Sequence, residues 1–457
     1  MHDNNKQALN EIPLLENVLN RWFLNRYSGP LIFIFILFIV FYVTFVFGSF
    51  PQRLISAGFD AIATMISDLL PSGMVSDLIA NGVITGVGGV IAFLPNILIL
   101  FLFISILERS GYMARAVVLM DSLMRRINLR GYSFVPLLMS FGCSVPAILA
   151  AGTIHNRRHR IITILIIPFM SCSATLPAYV LIISSCFPQY AGLVLISLYL
   201  FGILTAILVA FILNKFVAQV NDPDISIVLP AYTVPRLGDI AGDMWRKGEE
   251  YLKKISGIIL IASVAIWALE YFPRNSPEVL AIKQQKYEMQ KTYALQISDA
   301  EMHENHVAVE SLNQAMNKRM ETFDMAINSA QIRNSYIAAL GHFIEPVLRP
   351  LGFEWQMGVS LLSGIAAKEI LVSSLNVLYS DILAGDHTIG ISPDIFTPPV
   401  AIAFMLFIFL YSPCVGALMA VRRATGKIKW MIVTFLFTTS VAWTAAFISF
   451  NVLRLIF

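Results

Sequence analysis

Long apolar runs interrupted by proline and glycine constrain this chain more than any other feature of its sequence. Several runs reach the roughly 20 residues that an α-helix needs to cross a bilayer. The run 136–149 contains Gly142, Cys143 and Pro146. Proline removes a backbone donor and clashes with the preceding turn, so a helix here is predicted to break near Cys143. Because hydrocarbon leaves a broken backbone unsatisfied unless protein or water covers it, the break is a candidate ion site.

The composition agrees with a membrane-embedded chain. Hydrophobic residues make up 57% of the sequence and charged residues 13%, against about 25% charged in soluble domains. We therefore predict an all-α polytopic membrane protein. The net charge of +3 is too small to indicate a nucleic-acid partner. The four cysteines are scattered and predict neither a disulfide framework nor a zinc site, and no cleavable signal peptide is visible.

Basic residues predict which side of the membrane each loop occupies. The stretches 109–130 and 155–160 are rich in arginine and are predicted to be cytoplasmic, as is the N-terminal arm. The broken run between them therefore enters and leaves on one face, as a re-entrant element. The loop 380–397 has three aspartates and no Lys or Arg, which places it outside. The preceding segment 356–379, interrupted by Gly364, is then re-entrant from the opposite face.

Two further apolar spans carry a cysteine beside a helix breaker. Cys172 lies between Pro168 and Pro177, and Cys414 directly follows Pro413. Together with the two re-entrant segments, these spans predict an inverted repeat of two gate modules with broken helices, a design known from secondary transporters. Seven crossings are predicted, or eight if 356–379 crosses fully. The segment 79–92 is expected to dip into the membrane without crossing.

The predicted organisation has six parts. The polar insert 274–335 is predicted to be a helical hairpin on the periplasmic or extracellular side, because its apolar residues recur at helical spacing. The parts are a cytoplasmic arm (1–28), a first span with an outer or re-entrant segment (29–92), gate module 1 (93–214), a cytoplasmic connecting segment (215–254), gate module 2 (255–273 and 336–450) and the insert (274–335).

Several strings resemble the membrane part of the ferrous iron transport protein B family, the large component of the Feo system. They occur in family order and cover most of residues 85–450 outside the insert. The strings are Glu108-Arg-Ser-Gly-Tyr-Met-Ala-Arg115, Phe141-Gly-Cys-Ser-Val-Pro-Ala-Ile148, Phe169-Met-Ser-Cys-Ser-Ala-Thr-Leu-Pro177, Pro346-Val-Leu-Arg-Pro-Leu-Gly-Phe353, Gly364-Ile-Ala-Ala-Lys-Glu369 and Tyr411-Ser-Pro-Cys414.

The sequence departs from the family pattern in one respect that bears on energy supply. The family usually carries an N-terminal GTPase domain, and a phosphate-binding Gly-x-x-x-x-Gly-Lys-Ser/Thr string occurs nowhere in these residues. We therefore expect no enzymatic activity from this chain by the usual GTPase route. Either a separate GTPase supplies that activity or transport proceeds without it.

The candidate metal ligands are the three cysteines at breaks: Cys143, Cys172 and Cys414. Ferrous iron accepts thiolate, imidazole, carboxylate and thioether ligands, so these sulfurs, with Met170, predict a sulfur-lined path. The alternative is that each cysteine or methionine simply packs as a buried apolar residue. The helix breaks expected to act in gating are those at Gly142, Pro146, Pro177, Gly364 and Pro413.

Two carboxylates complete the candidate site. Glu369 lies in a membrane segment, where a charge is costly and often functional, although Lys368 beside it offers a structural ion pair. Glu108 ends a span and is equally explained by pairing with Arg109 or Arg115. In the insert, His303 and His306 share a helical face and are expected to be solvated rather than metal-binding.

The resemblance implies uptake of Fe²⁺ across a bacterial plasma (inner) membrane. The expected partners are Fe²⁺ as substrate, the lipid bilayer, a separate GTPase, a small accessory protein of the Feo system and a further copy of the chain; no permanently bound cofactor is expected. Two alternatives remain open. One is transport of another divalent metal or a nucleoside on the same fold, and the other is a non-transporting membrane scaffold for a G protein.

Overall fold

The computed structural model describes residues 20–23, 25, 27–71, 73–216, 232–233, 236–274, 276–303, 306–379 and 396–456. Within these ranges the chain is helical with short connections and contains no strand, which confirms the all-α prediction. Most of the predicted arm 1–28 and most of the loop 380–397 lie outside the described residues. The sides of the membrane assigned to them stay predictions.

The first helix is longer than its apolar run. Helix α1 (Ser28–Leu69) continues through Pro51 for 42 residues. After it come α2 (Met74–Asp77), a π-helical segment (Leu78–Ile84), α3 (Thr85–Ala92) and α4 (Leu94–Arg109).

The helices do not set 79–92 apart from the segment that follows it, and whether 79–92 dips into the membrane or crosses it stays a prediction. Residues Met74–Arg109 form one apolar helical run, interrupted only by a turn at Phe93, that is long enough to span a membrane. Backbone groups in hydrocarbon must be hydrogen-bonded internally, and this requirement outweighs the weak helix propensity of the glycines.

The remaining helices of the first half surround two breaks. They are α5 (Tyr112–Arg126), α6 (Phe134–Met139), α7 (Ser144–Ala151), α8 (Arg157–Ile166), α9 (Leu176–Cys186) and α10 (Ala191–Phe216). The breaks lie between α6 and α7 and between α8 and α9, where the sequence predicted them.

The second half repeats this order of elements. Its helices are α11 (Leu237–Tyr271), α12 (Pro277–Met302), α13 (His306–Arg333), α14 (Tyr336–Leu348), α15 (Trp355–Ala366), α16 (Lys368–Tyr379), α17 (Pro398–Leu410), α18 (Val415–Thr425) and α19 (Ile428–Arg454). A broken hairpin, α15–α16, precedes a broken span, α17–α18, and an unbroken span, α19. The opposite orientation of the two halves stays a prediction.

The helix break in the second half is displaced from its predicted position. Gly364 lies inside α15 and is buried, whereas the backbone opens at Ala367, with φ −146° and ψ 131°. The prediction that Gly364 forms the break is therefore wrong. A single glycine lowers helix propensity by about 1 kcal/mol, and burial of the surrounding face keeps the helix intact there.

Six described helical segments are long and apolar enough to cross a membrane. The apolar part of α11, Leu260–Tyr271, is shorter than these six. Helix α11 also contains residues 237–254, so the predicted boundary at 254 falls inside a continuous helix. As predicted, the insert is a helical hairpin, in which α12 packs along α13.

The chain groups into two compact units. Unit 1 comprises Met1–Ala174, Ser197–Ile261 and Phe409–Val441, and unit 2 comprises Thr175–Ile196, Ala262–Ile408 and Ala442–Phe457. In unit 1 the core forms where α1 packs on α4, around Val40, Leu100 and Phe101. These units group residues by packing, and the sequence boundaries of the two gate modules stay a prediction.

The core of unit 2 is aromatic. Phe353 is buried and meets Phe404 and Phe407 edge to face, with ring centroids 5.2 and 5.7 Å away. Phe396 joins the cluster on the far side of Phe404. Such pairs contribute beyond their buried area, so this cluster fixes α17 against the connection that follows α14.

We predict that Phe353→Ala lowers the unfolding free energy by about 3–5 kcal/mol, because it removes a fully buried ring and leaves a cavity. Thermal unfolding of the purified protein in detergent measures the effect. The matched control is Phe343→Ala, since Phe343 is 79% exposed. Equal melting temperatures for the two variants would contradict the aromatic core.

Candidate ion pathway at the helix breaks

The first break exposes backbone between α6 and α7. After α6, the N–H groups of Gly142 and Cys143 both donate to the carbonyl of Met139, at 3.1 Å each. Cys143 then takes an extended conformation, with φ −154° and ψ 128°, and α7 begins at the next residue. Pro146 is buried in the first turn of α7, where its missing N–H costs nothing.

The second break is hydrogen-bonded to the first. A short 3-10 turn (Ile167–Phe169) follows α8, and Met170 is extended and buried. Cys172 comes next, and the backbone N–H and Oγ of Ser173 donate to the carbonyl of Gly142, at 3.4 and 2.9 Å. Pro177 is at the start of α9, again a position where proline does not disturb the helix.

The third break lies between α17 and α18. Residues 411–414 are non-helical, and Cys414 is extended, with φ −61° and ψ 160°. Pro413 is buried within this break. Helix α18 packs against α7, and a Cβ on Gly152 would lie 3.0 Å from the Cβ of Ala424. The helix after Cys414 therefore touches the helix after Cys143.

Tyr199 of α10 packs against one aromatic residue next to the first break and another next to the third. Tyr199 lies 6.2 Å from Phe141 and 5.6 Å from Phe409, centroid to centroid. One helical turn along, a Cβ on Gly202 would lie 2.0 Å from Cε1 of Phe409 and 3.1 Å from the Phe169 carbonyl oxygen. Only glycine leaves room for this approach of ring and backbone.

The three predicted thiols thus belong to one compact unit. Cys143, Cys172 and Cys414 are half-buried, all belong to unit 1, and none of the four cysteines forms a disulfide. Among the described residues, no group of three or more His, Cys, Asp or Glu side chains is arranged to hold a metal. The breaks are brought together, but the thiols and carboxylates do not form a closed cage. A transport site has to release its ion, so an open arrangement is compatible with the prediction.

Glu369 lies at the start of α16. It is half-buried in the first turn of that helix. Lys368 precedes it and is buried, and adjacent helical residues point about 100° apart. The role of Glu369 in ion passage and the alternative of a structural ion pair with Lys368 both stay predictions.

Glu108 lies exposed at the end of α4. Its neighbour Arg109 is engaged by the connecting segment, since Nε of Arg109 lies 2.7 Å from Oδ2 of Asp243 and NH1 lies 3.4 Å from Oδ2 of Asp239. Ser105, which is buried, also donates to Asp243 at 3.4 Å. Glu108 thus lies beside a group of charged surface residues. Its role in ion passage stays a prediction.

The connecting segment makes a second contact that the sequence did not reveal. Arg115 is 1% exposed, and its guanidinium carbon lies 3.5 Å from the centre of the Tyr232 ring. Nε of Arg115 donates to Asn20 at 2.7 Å, and NH1 donates to the Gly111 carbonyl at 2.9 Å. The Thr233 hydroxyl donates to the Arg109 carbonyl at 2.6 Å. The segment is therefore held to the turn between α4 and α5 by Arg109 and Arg115 together.

Sequence reasoning also missed Glu270 in unit 2. It lies in the last turn of α11, in the apolar stretch Leu260–Tyr271, and Oε1 accepts a hydrogen bond from Ser363 Oγ at 3.3 Å. An acidic residue in an apolar membrane helix was a usable signal. In the insert, His303 is exposed and lies 3.9 Å from Asp299, as expected for a solvated face, while Glu304 lies outside the described residues.

These features define the class of the protein: a polytopic α-helical membrane protein built around broken helices. Two family models match. The model named Gate, described as "Nucleoside recognition", covers residues 90–186 and 252–428, and the "Ferrous iron transport protein B C terminus" model covers 195–247.

Curated relatives match nearly the whole chain. A "Fe(2+) transport protein A/Fe(2+) transporter FeoB fusion protein" of Porphyromonas gingivalis is 39% identical over 98% of this chain and 52% of its own length. The Fe(2+) transporter FeoB of Campylobacter jejuni is 34% identical over 95% and 64%. That of Helicobacter pylori strain 26695 is 32% identical over 97% and 69%.

The chain therefore belongs to the ferrous iron transport protein B family, as the sequence motifs implied. It spans roughly half to two thirds of the length of these relatives. No solved structure matches it.

We predict that Ser173→Ala loosens the first two breaks. The change removes the 2.9 Å bond to Gly142, worth about 0.5–1.5 kcal/mol, and should speed maleimide labelling of Cys143 and Cys172 in single-cysteine variants. The control is Ser184→Ala, because Ser184 bonds only the carbonyl of Leu181 in its own helix. Unchanged labelling of both thiols in Ser173→Ala would show that the bond does not hold the breaks together.

We also predict that Asp243→Asn releases the start of α11. Its hydrogen bond from Arg109 holds the pKa of Asp243 below its usual value, so the carboxylate is charged at neutral pH. Because the pKa of Asp243 is lowered in the folded protein, the contact is fully stabilising at pH values above about 4, the usual pKa of an aspartate. This stabilisation is lost only when the pH falls below that value. The protection of residues 237–246 against hydrogen exchange, relative to the intrinsic rate at each pH, should therefore fall in Asp243→Asn and stay constant in the wild type between pH 7 and pH 5.

The matched control for this prediction is Glu249→Gln. Glu249 pairs with Lys253 one turn away on the same helix and does not reach α4. Equal exchange in the two variants would mean that the Arg109 contact does not anchor the segment.

Proposed function

We propose that this chain is the membrane part of a ferrous iron transporter that carries Fe²⁺ inward across a bacterial plasma membrane. The observation that carries the proposal is the convergence of three cysteine-bearing helix breaks in unit 1, in a chain whose relatives are named Fe(2+) transporters. In this proposal Cys143, Cys172 and Cys414 line the path. Met170 and Glu108 contribute further ligands in unit 1, and Glu369 is proposed as a ligand in unit 2.

The chemistry of the ion fits these groups. Fe²⁺ is of borderline softness and takes thiolate, thioether and carboxylate ligands. Half-buried thiols beside non-helical backbone offer ligands that replace water without enclosing the ion. Binding of this kind is strong enough for entry and weak enough for exit.

Gating is assigned to the breaks at Gly142, Pro146, Pro177 and Pro413, with Ala367 in place of Gly364. Extended residues between two short helices change their dihedral angles at low cost, because few intrahelical bonds are lost. Helix ends that meet at a break also supply free carbonyls for a passing cation.

The energy source belongs to a partner in this proposal. A separate GTPase acts through the connecting segment 215–254, whose described part contacts Arg109 and Arg115. The fusion named for Fe(2+) transport protein A in Porphyromonas gingivalis supports a small accessory Feo protein as a second partner. Fe²⁺ is the substrate, no resident cofactor is invoked, and the N-terminus is cytoplasmic.

We predict that the Cys143→Ser, Cys172→Ser, Cys414→Ser triple variant loses Fe²⁺ uptake while remaining folded in the membrane. Hydroxyl oxygen replaces sulfur at nearly constant volume but is a much weaker ligand for Fe²⁺. Radioactive iron uptake into proteoliposomes, with and without an added GTPase, measures the effect. Full uptake by the triple variant would refute the thiol path.

The control for this experiment is Cys186→Ser. Cys186 is half-buried in unit 2, where its Sγ donates to the Phe396 carbonyl at 3.5 Å, and it ends α9 rather than belonging to one of the three breaks described above. Its uptake should equal that of the wild type. Competition by Mn²⁺, Zn²⁺ or a nucleoside separates the alternative substrates, and partner binding without any flux would indicate a scaffold instead.

A further inference from the structure

Glu270 occupies a position that opposes its charge. It lies half-buried in the last turn of α11, within the apolar stretch Leu260–Tyr271. A carboxylate in a membrane helix is costly. The C-terminal end of a helix carries a partial negative charge, which repels it further. Neither helix formation nor packing accounts for an acid at this place.

The polar contact that the structure describes for Glu270 is with a hydroxyl group. Its hydrogen-bond partner is the hydroxyl of Ser363, which is fully buried on α15. Of the ion pairs among the described residues of unit 2, none includes Glu270. The Ser363 hydroxyl keeps two lone pairs that a cation could use while its proton points to Glu270.

Ser363 also belongs to the end of a helix. Helix α15 stops at Ala366 and the next residue, Ala367, is extended. The last carbonyls of a helix have no partner in a following turn, so they form an electronegative end. The hydrogen bond between Ser363 and Glu270 therefore brings the C-terminal turns of α15 and α11 together. The electronegative end of α15, a hydroxyl and a carboxylate therefore meet in unit 2, beside the last turn of α11, whose Tyr271 carbonyl accepts a hydrogen bond from Gln331 at 2.8 Å.

We propose that Glu270, Ser363 and the terminal carbonyls of α15 form an oxygen-lined binding station for the transported divalent cation. The station rests on the transport function proposed above and is separate from the three thiols. A bound dication would neutralise the carboxylate and the electronegative end of α15, which offsets the cost of placing Glu270 in an apolar stretch. In secondary transporters, broken helices bind cations through this combination of backbone carbonyls and helix C-termini.

The station would add selectivity that sulfur alone does not provide. Thiolates favour softer ions such as Cu⁺ and Zn²⁺, whereas carboxylate and carbonyl oxygens suit Mg²⁺ and Mn²⁺. Fe²⁺ is accepted by both ligand types. A protein that offers oxygen ligands in addition to sulfur ligands therefore favours an ion of intermediate softness.

Binding of Mn²⁺ to the purified full-length chain, followed by electron paramagnetic resonance, tests the station without requiring flux. Glu270→Gln keeps the side-chain shape and the hydrogen bond from Ser363 but removes the charge. We expect it to weaken Mn²⁺ binding at least tenfold and to raise the KM for Fe²⁺ uptake. Ser363→Ala, the second variant, should weaken Mn²⁺ binding in the same direction.

The matched control is Glu278→Gln, because Glu278 pairs with Arg333 on the exposed insert. If folded Glu270→Gln protein binds Mn²⁺ as tightly as the wild type, the binding station is refuted, whatever the rate of Fe²⁺ uptake. If Mn²⁺ binding is unchanged and only the pH dependence of uptake differs, the station is also refuted and Glu270 acts as a proton carrier instead. A third outcome separates the two proposals. If Glu270→Gln weakens Mn²⁺ binding but the wild type shows no Fe²⁺ flux, the binding station is upheld and the proposed transport function is refuted.

Discussion

The hydrogen bonding of non-helical backbone inside an apolar chain is the constraint on which the rest of this structure depends. Every peptide group in hydrocarbon needs a partner, and a broken helix gives several of them up. In unit 1 the Gly142 carbonyl, released at the first break, accepts both the N–H and the hydroxyl of Ser173 from the second. The second break thus satisfies a carbonyl that the first one releases, and Cys143 and Cys172 each lie next to one partner of this contact.

The sequence predicted the broken elements well because proline and glycine act locally. Breaks next to Cys143, Cys172 and Cys414 follow from the missing donors of nearby prolines, and the structure has all three. Glycine was a poorer guide. Gly364 stays inside α15, since burial of the helix outweighs the modest propensity cost of glycine, and the chain opens at Ala367, where no residue type announced it.

Contacts between distant segments could not be predicted from one sequence. Arg109 and Arg115 were read as orientation signals, whereas the structure shows them holding the connecting segment through Asp243 and Tyr232. Glu270 lies in the span 255–273, for which the sequence suggested no site residue. Its significance depends on Ser363, 93 residues away in sequence, and no periodicity or spacing encodes that meeting.

The shared Gly142 carbonyl has a consequence for both breaks. Its oxygen has two lone pairs, and the two donors of Ser173 use both. Widening either break requires the same two bonds to be exchanged for bonds to water or to another partner. The two breaks are therefore coupled, because a change at one of them loosens the other.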